Sequence, residues 1–579
     1  MRRTYTLIFI FILGAFLRFL YLGSVPVSLS HDETDNIIQA HAVIQTGSDI
    51  AGTWKPWSFL PNSGVMAELG PLINVPSLYL LPQSLFASRF TTALLSALFP
   101  LLFFWWLTTI KAKSSVAIMT SLLLAVSPWH LIFSRTALEQ PTSLFFYLLS
   151  WIFLAKLFHR DNRSTKHYAL YTLLFTLAFS IGYFTYHGFK FALPGMTVLY
   201  ALYLFWQSHP RLKLPLIISL SVIGLLLVRT ALFSSYYASR SGEIILLQND
   251  RFTSEVNAER RQSVAPERLK SLFVNKPLVV LSVIRDKYVG AISPDLLFLH
   301  GEANGVFSVW LAGYFYLFTL PFLLFGLFYL ISKHRPVHLL ILTLLLISPV
   351  ASVIHVNNTF AFRSAIYFVL LNIVLAYGVS WVLDRYRYLK PVFYLLLISG
   401  LASFCYILYF VTPVTNANDY FFGDRLIANY LRLNPNHKIL VIDNQPRYIY
   451  SAFVLAHSQV TPNLIAGFEH EYNPTDDNSY TVDNLTIART CPTTSDSTFD
   501  TVIIPSIRAT ELSVCPAITH STIHSFVSPK DSGELSRIYG DSLCSTNELG
   551  TYVHPTSLAD FQLESMDRGE FCSKWVVAQ

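Results

Sequence analysis

Apolar residues in this 579-residue chain come in long runs separated by short polar stretches. A helix needs about 20 mostly apolar residues to cross the hydrocarbon core of a bilayer. Runs approaching that length fall at Tyr5–Leu22, Phe86–Ile110, Ser115–Phe133, Ser143–Phe158, Tyr168–Phe184, Phe189–Trp206, Leu214–Phe233, Val306–Ile331, Val337–Val356, Ala365–Leu383 and Val392–Val411. Together they predict a polytopic all-α membrane bundle of about eleven transmembrane helices over residues 1–411. The first run follows Arg2 and Arg3, but no small-residue cleavage site comes after it and Arg18 interrupts its far end. It reads as a retained helix rather than a signal peptide.

Three segments between or beyond the runs are too long to be turns: 23–85, 234–305 and 412–579. In the first, Ile37, Ile38, His41, Val43 and Ile44 recur at helical spacing opposite Asp35, Asn36 and Gln39. That pattern predicts an interfacial helix lying on the bilayer. The second holds a strongly charged stretch from Asp250 to Lys270. In the third, Lys438–Asp443 and Thr501–Pro505 have the length and flanks of short buried strands, and Gly423–Leu433 and Arg447–Gln459 read as helices. Residues 412–579 therefore predict a small extracytoplasmic α/β domain.

Composition agrees with the runs. At 53% hydrophobic and 13% charged residues the chain lies outside the range of soluble globular domains. Lys and Arg cluster in alternate short loops, at Arg2/Arg3, Lys111/Lys113, Arg160/Arg163/Lys166, Arg211/Lys213, Lys333/Arg335 and Arg385/Arg387/Lys390. By the positive-inside rule this alternation predicts a multi-pass protein of the plasma membrane with a cytoplasmic N-terminus and the C-terminal domain outside. The net charge of +6 is then loop charge and makes no case for a nucleic-acid partner. Four of the five cysteines, Cys491, Cys515, Cys544 and Cys572, fall in the tail. On an oxidising side that reads as two disulfides, with neighbours in sequence the simplest of three pairings. Zinc is the rival reading, and no pair has the close spacing it prefers.

Candidate chemistry starts just past the first run, where Asp32, Glu33 and Asp35 stand within Ser30-His31-Asp32-Glu33-Thr34-Asp35. A bland reading makes them the solvated start of a helix, since acids suit a first turn. Other residues expected on the same side shift the balance: Glu68, Arg135 and Glu139, Lys190, Glu302 and Arg363. A lone cation at a span end ordinarily snorkels to the headgroups, and Lys190 reads that way first. Arg135 and Arg363, in otherwise nonbasic turns, read as anion-binding. One carboxylate beside a cationic phosphate site is the minimal equipment for displacing a lipid phosphate from a sugar carbon. The acid takes the acceptor hydroxyl's proton and the cations hold the leaving group. No P-loop or dinucleotide fingerprint is present.

The ordered set Arg18-Phe19-Leu20-Tyr21-Leu22-Gly23, Pro26, His31-Asp32-Glu33 and Thr46-Gly47-Ser48-Asp49 resembles the N-terminal signature of GT-C class membrane glycosyltransferases. More narrowly it is similar to the family of protein O-mannosyltransferases and lipid A aminoarabinose transferases. Phe86-Ala87-Ser88-Arg89-Phe90, the run from Ser127 to Glu139, Ser293-Pro294-Asp295 with Gly301-Glu302, and the turn at Arg363 extend the match over residues 1–411. The resemblance implies a polyprenyl-phosphate sugar donor and an inverting transfer to an extracytoplasmic hydroxyl of a protein, lipid or envelope glycan. It makes Asp32 the catalytic carboxylate with Glu33 beside it. Arg135, Arg363, Glu68, Glu139, His31 and Lys190 become donor phosphate- and sugar-binding candidates. Leu69 and Gly70 stand where lipid A-directed relatives have Lys and Pro after the acid. The acids suit a divalent metal, but their spacing assigns none. A transporter or flippase of lipid-linked sugars is the alternative; few ionisable residues lie deep in the runs and no internal repeat stands out.

The topology is testable. A reporter fused after Gln579 is expected to signal from outside the cytoplasmic membrane; a cytoplasmic signal means that the number of crossings is even.

Overall fold

A computed structural model describes residues 2–50, 52, 54–55, 67–158, 165–207, 213–233, 251–353, 355, 360–443, 479–482, 484–488, 499–506, 523–540, 543–550 and 554–578. The span region is helical: α1 (Arg2–Phe19), α2 (His31–Thr46), α3 (Val75–Leu80), α4 (Leu85–Thr109), α5 (Ser114–Ala125), α6 (Pro128–Phe133), α7 (Glu139–Leu157), α8 (Thr165–Thr185), α9 (Ala192–Gln207) and α10 (Lys213–Leu232). After it come α11 (Arg251–Arg261), α12 (Glu267–Phe273), α13 (Lys276–Ala291), α14 (Leu320–Lys333), α15 (Pro336–Ile347), α16 (Ala365–Arg385) and α17 (Leu389–Tyr406). Among the described residues six helices are long and apolar enough to cross a membrane, at 85–109, 166–185, 214–232, 336–353, 365–385 and 389–415. The segments Tyr5–Leu22, Ser143–Phe158 and Phe189–Trp206 are helical as well, in α1, α7 and α9.

Two of the apolar runs are not single helices. Ser115–Phe133 breaks between α5 and α6, where Pro128 has no N–H to continue the ladder. The carbonyls exposed there are taken by Arg18, which donates to Ala125 O (3.0 Å) and Leu124 O (3.3 Å), and by Tyr316, which donates to Val126 O. Val306–Ile331 becomes α-helical only at Leu320. Its first third is apolar because Phe307, Val309, Tyr314 and Phe315 are buried in protein, not because they face lipid.

The tail holds α18 (Phe422–Leu433), α19 (Arg568–Trp575) and a seven-stranded sheet: β1 (Ile439–Ile442), β2 (Ser479–Val482), β3 (Leu485–Ala488), β4 (Thr501–Pro505), β5 (Ile523–Val527), β6 (Glu534–Gly540) and β7 (Val576–Ala578). Strand order is β2-β3-β1-β4-β6-β5-β7, with β3, β1 and β4 parallel and the remaining pairs antiparallel. A central parallel strand is covered on both faces and so reads as a continuous apolar run. In β1, Ile439 and Val441 pack on one side with α18, and Leu440 and Ile442 pack on the other. Cys544 and Cys572 form a disulfide, Cα–Cα 5.5 Å. Cys491, Cys515 and the helix expected at Arg447–Gln459 lie outside the described residues.

The helix expected to lie on the bilayer is α2, and there the structure corrects the reading. Every residue from Glu33 to Ala42 is buried. Ile38 and Ala42 join the core of the sheet domain with Phe422, Leu426 and Tyr430. Ile37 and Ala40 pack with Leu29, Leu78, Leu85 and Ala137. Protein covers both sides, so α2 is an internal helix where the spans meet the tail domain.

The segment feeding α2 is irregular and buried, which is tolerated at membrane depth only if its backbone groups find partners in the protein. Arg89 donates to Leu22 O (3.5 Å), Pro26 O (2.8 Å) and Ser28 O (2.5 Å). Arg135 donates to Leu17 O (3.2 Å), Arg18 O (2.9 Å) and Val25 O (3.1 Å). Arg425 of α18 donates to Val27 O and grips Glu564 through both carboxylate oxygens. Arg89 also pairs with Glu33 at 3.2 Å, both side chains fully buried.

Removing one partner of such a pair strands the other charge. Arg89→Ala is expected to destabilise the protein by about 3–5 kcal/mol, read as a lowered unfolding temperature in a fixed detergent. Arg89→Met with Glu33→Gln should recover part of that loss.

Candidate active site

Serine 30 begins α2 with a capping box: its N–H and hydroxyl both donate to Glu33 Oε2, at 2.9 and 3.0 Å. Glu33 Oε1 accepts from Arg89 Nε and from the Ala137 N–H (2.8 Å). Both oxygens are thus committed to holding the helix start. Asp32, one residue earlier and about 100° round the helix, keeps 48% of its side chain exposed. His31 Nδ1 lies 3.4 Å from Asp32 and 3.7 Å from the mostly buried carboxylate of Asp35.

Residues four apart share a helix face, so Asn36 lies on the same side as Asp32. Its amide donates to Glu139 Oε2 (2.9 Å) at the first turn of α7. Asp32 and Glu139 are in this way brought to one edge of α2. Gly70 packs under the same helix: a Cβ there would stand 3.7 Å from Asn36 Oδ1 and 3.5 Å from Thr185 O. The turn at Gly70 carries Glu68, fixed by the bond from Leu69 N–H to Phe184 O (2.8 Å).

Glu68 is fully buried and bridges two cations, Lys190 Nζ at 2.7 Å and Arg229 at 3.0 Å. Lys190 does not snorkel; it is buried against Glu68 and the Tyr183 ring. Arg229 stacks over Phe184 (4.7 Å) and Phe233 (5.5 Å) and keeps an exposed edge of 20%. Among the described residues one carboxylate stands against two cations, beside the turn that packs on α2. This is the arrangement that holds an anion such as phosphate.

The remaining candidates are placed elsewhere. Arg135 was expected to bind the donor phosphate, but it spends both terminal nitrogens on backbone carbonyls and lies over the Tyr409 ring at 4.9 Å. Its geometry is that of a clamp on the first loop. Arg363 is half-buried and acts electrostatically on Glu302, whose carboxylate accepts from the Ala361 N–H. Glu302 thereby ties the loop before α14 to the turn before α16. Sequence reasoning missed Arg229, Arg89 and Arg425 as functional or positioning groups. For Arg229 and Arg89 the usable signal was a cation within an apolar run, which is costly without a partner, whereas Arg425 lies in the tail beyond the runs. Among the described residues no group of three or more His, Cys, Asp or Glu side chains comes together to hold a metal.

With this geometry in place, comparison with known proteins adds one family match. Residues 68–238 match the family model described as dolichyl-phosphate-mannose-protein mannosyltransferase. The match spans Glu68, Arg135, Glu139, Lys190 and Arg229. No curated protein matches the chain. Among solved structures, ArnT from Cupriavidus metallidurans bound to undecaprenyl phosphate is similar with 12% identity and a TM-score of 0.49, covering 92% of this chain and 97% of that one. The same protein in the apo state gives 11% and 0.47, covering 93% and 98%. The apo oligosaccharyltransferase of Archaeoglobus fulgidus gives 12% and 0.45, covering 92% and 74%.

Burial pushes the Glu302 carboxyl up to about 7, against bonds from the Ala361 and Phe360 amides and the charge of Arg363. The folded state therefore holds this proton more tightly than the unfolded chain. The contribution to stability is fully present below the ordinary value of 4.5 and is lost as pH rises through about 7. Glu302→Gln keeps an acceptor for Ala361 and removes the titration. Unfolding temperatures taken from pH 5 to 8 should show a shallower decline for the variant than for the parent; parallel curves would mean that Glu302 is not the group responsible.

Proposed function

We propose that this chain is a glycosyltransferase of the plasma membrane, transferring a hexose or pentose from a polyprenyl-phosphate donor to a hydroxyl on the extracytoplasmic side. The acceptor is a protein, a lipid or an envelope glycan. The observation that carries the reading is a helix with a half-exposed acid at its start and, by the turn packed against it, a carboxylate shared by two cations. The family match over residues 68–238 supports the same class of donor, since that family is described by a dolichyl-phosphate sugar.

In this reading the acceptor oxygen attacks the anomeric carbon from the face opposite the phosphate. The new C–O bond forms as the bond to the phosphate oxygen breaks, so configuration inverts. Asp32 takes the proton of the attacking hydroxyl. Lys190 and Arg229 neutralise the polyprenyl phosphate as it leaves, and Glu68 holds the two cations at a fixed spacing. Asn36 holds Glu139 toward the sugar or acceptor. His31 sits beside Asp32. Glu33, Arg89 and Arg135 position α2, and Arg363 with Glu302 positions the neighbouring turn.

Turnover and donor affinity, measured with radiolabelled polyprenyl-phosphate sugar in proteoliposomes, separate these roles. Asp32→Asn is expected to lower turnover by about 10²–10⁴-fold, the usual range for loss of a general base, with donor affinity kept. Lys190→Ala and Arg229→Ala should weaken donor binding first. Near-normal turnover in Asp32→Asn would overturn the base assignment, and donor movement across the bilayer without transfer would favour a flippase.

A further inference from the structure

We propose that α12, with the adjoining edge of α13, lies in the headgroup–acyl boundary of the bilayer leaflet on the face that bears α2 and the sheet domain. This inference does not rest on the proposed activity. Helix α12 buries none of its residues. Its apolar side chains Leu269, Leu272 and Phe273 follow i, i+3, i+4 spacing and form one stripe, with Leu272 62% and Phe273 69% exposed. Leu278 and Leu281 continue the exposed stripe onto α13.

The fold of this hairpin does not account for the stripe. Its own small core lies on the opposite side of α13, where Val279, Val280, Val283 and Ile284 pack with Phe252 and Val256 of α11. What the stripe faces follows from where α13 is fastened. The Tyr288 hydroxyl donates to Leu346 O (2.7 Å) at the end of α15, and Lys287 donates to His355 O (2.6 Å) just beyond it. Leu346 and Leu339, seven residues apart on α15, are both largely exposed and mark the lipid-facing flank of that span. The stripe on α12 and α13 is therefore fastened beside the lipid-facing surface, at the level where the spans end.

Charge points to the same occupant. Lys270 pairs with Glu267 (3.0 Å), and Arg260 donates to Val274 O. Arg261, Arg268 and Lys276, by contrast, have no ion pair among the described residues. An exposed apolar stripe with a basic rim is the makeup of a helix lying in a membrane interface, where apolar burial and anionic headgroups both contribute. Seated there, the hairpin sets the height of the loop that leads through Leu297 and Phe298 to Glu302.

A photoreactive benzoylphenylalanine at Phe273 of the full-length protein tests this. The protein is reconstituted in vesicles of phosphatidylcholine alone or with phosphatidylglycerol and illuminated, and adducts are mapped by mass spectrometry. The expected result is a phospholipid adduct at position 273 in both vesicles, with higher yield when phosphatidylglycerol is present. The same probe at exposed Glu259 of α11 should give none. A second protein carries the probe at Leu281 together with Leu272→Glu and Phe273→Glu. Because these residues are exposed, its unfolding temperature should match the parent while its lipid adduct is lost. Cross-links from position 273 to a second copy of the chain, or equal lipid labelling at 273 and 259, would overturn the proposal.

Discussion

Seven carbonyl oxygens between Leu17 and Ser28 are satisfied by three buried arginines, and the site depends on that stitching. The segment has to turn from the end of α1 into α2 without regular structure and away from water. An arginine carries five N–H donors and no acceptor, which suits it to gather several carbonyls at once. The charges so introduced are answered locally, Arg89 by Glu33 and Arg425 by Glu564, while Arg135 lies on the Tyr409 ring. A network of this kind is rigid because opening any part of it leaves a buried charge or carbonyl bare.

That rigidity explains how neighbouring acids can do different things. Glu33 and Asp32 are adjacent in sequence, but the helix turns them about 100° apart. One is locked into the loop and the other is presented at the edge of α2. The same separation of tasks recurs among the cations. Arg89 and Arg135 hold backbone, whereas Lys190 and Arg229 are held by a side chain, Glu68.

Much of this architecture was readable from the chain. The apolar runs and the strands at Lys438–Asp443 and Thr501–Pro505 show as uninterrupted apolar stretches of characteristic length, and the helix at Gly423–Leu433 as a helical period. What could not be read depends on partners distant in the chain. The polar side of α2 looked solvent-facing because nothing local marks that Asn36 meets Glu139, or that Gln39 accepts from the Ile50 N–H. Arg135 looked like an anion site because it stands in a nonbasic turn. A cluster of backbone carbonyls attracts a guanidinium just as well, and carbonyls have no signature in a sequence. Arg229 went unnoticed inside the last turn of an apolar run, where its acid, Glu68, is 161 residues away. The run at Val306–Ile331 misled for a related reason: burial in protein and burial in lipid demand the same residues.

The first loop and the sheet domain share one core, with Val27, Ile38, Ala42 and Ile50 packed among Phe422, Tyr430, Phe571 and Trp575. Ribosomal synthesis runs from the N-terminus, so α1 and α2 are made long before Phe422, Phe571 and Trp575. Until those residues are made, α2 lacks the surface that covers one of its sides, and until α18 is made Val27 lacks Arg425. The helix that presents Asp32 is therefore fully packed only when the sheet domain has docked. A chain that ended before Phe422 would hold all of the spans and still leave that side of α2 uncovered, so the spans alone do not complete this edge.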